Sequence, residues 1–171
     1  RWGAFPLKVY IQPDKQKNIV QKAFLEWQNR TDNLVNFQYV NSPANAQITV
    51  EFMKKLEASS TKEGYVAGYS KPYYQDGKIV KSQIYLLTVD PDTGGDFSND
   101  SIYFASLHEI GHSLGFRGHS PNENDIMHGQ SISPKLNLTQ RDISTLNLFY
   151  KIDKNTLASR KGGQSGVRLQ Q

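Results

Sequence analysis

The chain has 171 residues, 37% apolar and 11% aromatic, with a formal net charge of +4. That length suits one domain that buries a core without staples. The lack of cysteine excludes disulfides and thiolate metal sites, no stretch nears the ~20 apolar residues of a membrane span, and the thinly spread positive charge excludes the clustered basic face of a nucleic-acid binder. "LKVYI" (7–11) alternates, with Leu7, Val9 and Ile11 on one face, and predicts a strand. Ile19, Val20, Ala23, Phe24 and Trp27 recur at helical spacing, so residues 15–29 read as an amphipathic helix with Asp14 as its cap. "FQYV" (37–40) and "QITVEF" (47–52) are strands, and the polar run 54–64 is a loop.

"YVAGYS" (65–70) is a short strand whose two small residues suggest close approach of another backbone. Asp76-Gly77 signals a turn, and 78–89 is rich in β formers. "DPDTGGDFSND" (90–100) is a loop. Residues 101–114 form a helix that buries Ile102, Ala105, Leu107, Ile110 and Leu114; Asn99, Asp100 or Ser101 caps its start and Gly115 suits its end. A last helix begins near 139, where Thr139 and Asp142 have capping-box spacing, and carries Ile143, Leu146 and Phe149 or Tyr150 inward. The tail "KGGQSGVRLQQ" has no apolar period, and residues 155–171 read as a flexible tail or linker after a domain spanning 1–154. The chain opens on Arg1 without the pattern of a signal peptide, which reads as a processed product or an excised domain. The order β-α-β-β-β-β-α-α describes a mixed α/β sheet with helices packed on it.

All four histidines lie between positions 108 and 128. On a helix, His108 and His112 share a face and can point two imidazoles at one ion. Glu109 adjoins the first of them, placed to touch a water at that ion without ligating it. Zn²⁺ acidifies such a water, and a carboxylate then takes its proton and hands it to a leaving amine. The alternative is two helix histidines hydrogen-bonded in a core. A catalytic zinc needs a third protein ligand. Glu123 lies in a loop-like stretch too near in sequence, and Asp142 is available but suits a helix cap. His119 is the strongest candidate, because Gly115 lets the chain turn back with φ > 0.

His108, Glu109, His112 and Gly115 stand in register with HExxHxxGxxH, and "DIM" (125–127) follows at the distance of a methionine turn. With "RWGAFPLKVYI", "AFLEW", "AQITVEF" and "LTQRDISTLNLFY" in the same order, residues 1–151 resemble the catalytic domain of the matrixins, the matrix-metalloprotease group. One departure is plain: the third histidine comes one residue late, with Gly118 in its usual place, so the segment "FRG" must bulge for His119 to reach the ion, and Gly118 offers the backbone freedom.

The resemblance implies a metzincin-like fold: a twisted, mostly parallel sheet with one antiparallel edge strand, three main helices and an active-site cleft. It implies a zinc-dependent endopeptidase acting on an extended protein or peptide substrate, with one catalytic zinc on His108, His112 and His119, Glu109 as the catalytic carboxylate, and Met127 as an apolar floor beneath the ligands. It also implies that Val66, Ala67, Gly68 and Tyr69 form the edge strand that binds substrate by strand addition; an interior strand is the alternative. No histidine precedes His108, so the second, structural zinc of animal matrixins is not expected. Asp90, Asp92, Asp96 and Asp100 suit Ca²⁺ by ligand type, or form a solvated acidic loop. His128 reads as exposed or hydrogen-bonded rather than ligating. A secreted or extracytoplasmic monomer, with a prodomain or flanking domains outside this sequence, completes the expectation. The competing functions are a zinc-stabilised binding module and a zinc hydrolase that does not cut peptides.

Overall fold

A computed structural model of the chain describes residues 1–55, 67–129 and 134–161. In chain order it contains β1 (Leu7–Ile11), α1 (Lys17–Arg30), β2 (Phe37–Tyr39), a 3₁₀ turn (Pro43–Asn45), β3 (Ile48–Met53), β4 (Gly68–Gln75), β5 (Lys78–Leu87), α2 (Asn99–Leu114) and α3 (Gln140–Lys161). The five strands form one sheet in the order β2-β1-β3-β5-β4. β1 pairs parallel with β2 and β3, β3 pairs parallel with β5, and β4 runs antiparallel along β5 at the sheet edge. The mixed architecture, mostly parallel with one antiparallel edge strand, is the one expected.

Alternation decides which face is covered. Leu7, Val9 and Ile11 of β1, Ile48 and Val50 of β3, and Ile84 and Leu86 of β5 are buried together with Val20, Ala23, Phe24 and Trp27 of α1. α2 is buried along Ile102, Ala105, Leu107, Ile110 and Leu114, as its periodicity requires. The Trp27 indole donates to the Leu107 carbonyl at 2.9 Å and so locks α1 to α2. α3 turns Ile143, Leu146 and Tyr150 inward, and the Tyr150 hydroxyl donates to the Leu114 carbonyl at the end of α2.

Several boundaries differ from the sequence reading for local reasons. Asp14 lies too early to cap α1. Its Oδ1 accepts from the Gln16 amide at 2.8 Å, a side-chain turn ahead of the helix, while Gln16 holds the cap position with no side-chain bond. Ser98, not Asn99, Asp100 or Ser101, caps α2 by accepting from the Ser101 amide at 3.1 Å. β4 extends to Gln75 through Pro72, a residue that lowers strand expectation but is tolerated on an edge. Asp76 and Gly77 both have positive φ, the two-residue hairpin turn expected from their types. The Thr139–Asp142 capping box is present in both directions. α3 runs from Gln140 to Lys161. The loop expected at 54–64 lies largely outside the described residues, as does the end of the tail.

Candidate metal centre and active site

α2 places His108 and His112 one turn apart on the same face. The Nδ1 of His108 lies 2.7 Å from the Ile126 carbonyl, and that of His112 lies 2.9 Å from the Phe116 carbonyl. A carbonyl only accepts, so each Nδ1 carries the hydrogen and each Nε2 presents a lone pair. Those two Nε2 atoms face each other at 3.1 Å. Two ligands ~2.05 Å from a tetrahedral zinc stand roughly 3.3 Å apart, so the pair is spaced for one ion. Burial, reinforced by the neighbouring histidines, pushes His108 down to about 4, and burial also lowers His112. Both rings are therefore held in the neutral form that ligates.

α2 ends at Gly115, whose φ of 122° turns the chain back as expected. The longer segment then brings His119 to the other two histidines. Its ring lies 5.2 Å from His108, nearly parallel at 18°, and 5.0 Å from His112, edge-on at 89°. One nitrogen from each of the three falls within 4.8 Å of the others. Among the described residues this is the group of His, Cys, Asp and Glu that could hold a metal. Gly118 is not one of the positive-φ glycines, and a Cβ there would meet nothing, so the extra residue is absorbed without the special freedom expected of it. After the bulge, the Ser120 amide donates to the Met127 carbonyl at 2.7 Å. Gly129 lies against the His119 ring, where a Cβ would come within 3.1 Å of Cγ.

Glu109, next to His108 on α2, is buried at 5% exposure. Its Oε2 has no hydrogen-bond partner, and burial pushes its carboxyl up to about 8. The residue beside it is Gly68, where a Cβ would lie 3.1 Å from Glu109 Cγ and 2.8 Å from the Tyr85 carbonyl oxygen. Met127 is buried beneath α2: a Cβ on Gly111 would stand 2.3 Å from its sulfur. The Asp142 carboxylate accepts from the amides of Ile126 at 3.0 Å and Met127 at 3.3 Å, as well as from Thr139. One side chain thus caps α3 and holds the methionine turn. It is committed to those donors and is not in the metal group.

Two contributors escaped the sequence reading. Asp125, 2% exposed, accepts from the Ser120 hydroxyl at 2.5 Å and the Thr139 hydroxyl at 2.8 Å, and so ties the residue after His119 to α3. Its signal was an acid set directly against the apolar pair Ile126-Met127. Gly111 was the other; a glycine inside a helix carries a propensity penalty and asks for a packing reason.

The structure puts Ala67 just before β4, Gly68 buried opposite Leu86, and Tyr69 exposed and stacked on Tyr85 at 4.7 Å. Val66 lies outside the described residues. Among the described residues β4 stands at the sheet edge, not in its interior. The four aspartates are not gathered. Asp90 accepts from the amides of Asp92 and Thr93, Asp96 pairs with Lys15, and Asp100 sits in the first turn of α2. None of them belongs to a group that could hold a metal among the described residues. Glu123 is exposed, and His128 is half-buried in a bridge with Ser120.

Comparison with known proteins gives one consistent answer. The matrixin family model, of peptidase family M10, matches residues 2–151. A probable matrix metalloproteinase of Invertebrate iridescent virus 3 is 27% identical over 136 residues, covering 78% of this chain and 37% of that protein. Interstitial collagenase of Oryctolagus cuniculus is 28% identical over 163 residues, covering 91% of this chain and 34% of that protein. The chain therefore spans about a third of the length of these relatives. The crystal structure of myroilysin superposes with a TM-score of 0.56 at 15% identity, over 85% of this chain and 82% of that one, a likeness of fold.

Proposed function

Because the chain belongs to the matrixin family, we propose that it is a zinc-dependent endopeptidase in which His108, His112 and His119 hold the ion and Glu109 carries the proton. The observation that carries this reading is the 3.1 Å approach of two lone-pair nitrogens, with His119 beside them and a buried carboxylate next in sequence. Zinc, when bound, supplies a Lewis acid that polarises a carbonyl and acidifies water.

The chain's own residues do the rest. The Ile126 and Phe116 carbonyls fix the tautomers of His108 and His112. Glu109 is buried with its Oε2 unpaired, and a cation in the histidine cluster favours its carboxylate form. It takes the proton of the attacking water and returns it to the leaving nitrogen as the C–N bond breaks. β4, the antiparallel edge strand, offers main-chain groups to an extended substrate along Ala67, Gly68 and Tyr69. Residues 1–154 act as one catalytic unit, working outside the cytoplasm as a monomer on protein substrates.

Hydrolysis of quenched casein by wild type and Glu109→Ala, each with and without a chelator, tests it. Chelator-sensitive cleavage that Glu109→Ala abolishes is expected. Zinc-loaded wild type that leaves casein and peptide libraries intact refutes the peptidase and favours a binding module or another hydrolase.

A further inference from the structure

The one-residue delay of His119 raises a mechanical question: what holds the longer hinge still? The hinge lies across the turn end of the β4–β5 hairpin. A Cβ on Gly115 would touch Ile79 at 3.8 Å, and Ile79 pairs across the hairpin with Tyr74. Residues paired in this way present their side chains on one face. The register shift between Tyr73 and Tyr74 sets that pairing, since Tyr73 faces Lys81 and Tyr74 faces Ile79. On the Tyr74 ring sits the Arg117 guanidinium, with Cζ 4.8 Å from the centroid. Arg117 has no carboxylate partner among the described residues. On its other side Phe116 is buried against Trp27 and Phe149 and gives its carbonyl to His112. A Cβ on Gly118 would meet nothing.

We propose that Arg117, stacked on Tyr74, is a positioning residue that fixes the lengthened hinge and so sets the place of His119 in the metal site. The stack couples the third histidine to the same edge strand that begins at Gly68. Without it the backbone just ahead of His119 loses its contact with the edge strand, and a less ordered ligand lowers affinity because ordering it then costs entropy.

This inference rests on His119 being a zinc ligand, and the experiment separates the two. Zinc affinity is measured by competition with a chromogenic chelator for wild type, Arg117→Ala, Tyr74→Ala, the double variant, Tyr74→Phe and His119→Ala. Thermal unfolding of the zinc-free proteins is followed in parallel. Arg117→Ala and Tyr74→Ala are each expected to weaken zinc by about two- to five-fold, and the double variant by no more than the worse single one. Tyr74→Phe keeps the ring and the affinity, and zinc-free unfolding stays where it is. Wild-type affinity in both alanine variants, or losses that multiply in the double, overturns the proposal. If His119→Ala alone keeps full affinity, it is the ligand assignment that fails.

Discussion

Met127 lies directly beneath Gly111, so close that a Cβ on the glycine would stand 2.3 Å from the sulfur and 3.3 Å from Trp27 Cζ2. The helix carries a glycine one residue before His112 because no side chain fits between α2 and the methionine turn. Gly111→Ala gains helix propensity, worth about 1 kcal/mol, but forces the packing apart at a cost of about 1–3 kcal/mol. Chemical denaturation should show a net loss of stability, and zinc affinity should fall with it. A stabilised variant with wild-type affinity would show that the floor is loose.

Gly68 has a different constraint. A Cβ there would meet the Tyr85 carbonyl at 2.8 Å and Glu109 Cγ at 3.1 Å. The backbone oxygen cannot step aside, so the carboxylate or the strand must. Gly68→Ala is expected to lower kcat by about tenfold to a hundredfold through misplacement of Glu109, while zinc affinity stays near wild type. Steady-state kinetics beside a metal titration separates the two effects. Equal loss of both would mean that the substitution unfolds the site instead.

Asp142 joins α3 to the methionine turn through the amides of Ile126, Met127 and Thr139. Asp142→Ala leaves those buried donors unmet, each at about 1–3 kcal/mol, and should cost at least about 3 kcal/mol in urea unfolding. Asp142→Asn keeps one acceptor oxygen and should recover part of that loss. An alanine variant as stable as wild type would show that water replaces the carboxylate freely.

Most of this was legible from residue patterns, because the strongest signals are local. Alternation fixed β1 and β3, helical spacing fixed α1 and α2, and HExxH with a following glycine located the histidine cluster. What escaped depends on contacts distant in sequence. Gly111 looks like a helix defect until Met127 is seen under it. Asp125 looks like a loop acid until Ser120 and Thr139 close on it. Gly115 has the positive φ expected of it, but Gly118, assigned the freedom for the extra residue, does not, and the contact with the edge strand comes from Arg117. The aspartates of 90–100 suit calcium by type, and in space Asp90 accepts from a backbone amide while Asp96 pairs with Lys15. Ligand chemistry can be read from composition; convergence in space cannot.

The central claim is that a delayed histidine completes a three-nitrogen site with His108 and His112. X-ray absorption at the zinc edge, on wild type and on His119→Ala, tests it most directly. Three imidazole nitrogens at ~2.0–2.1 Å in wild type, falling to two in the variant with weaker binding, are predicted. The same imidazole count in both proteins would contradict it.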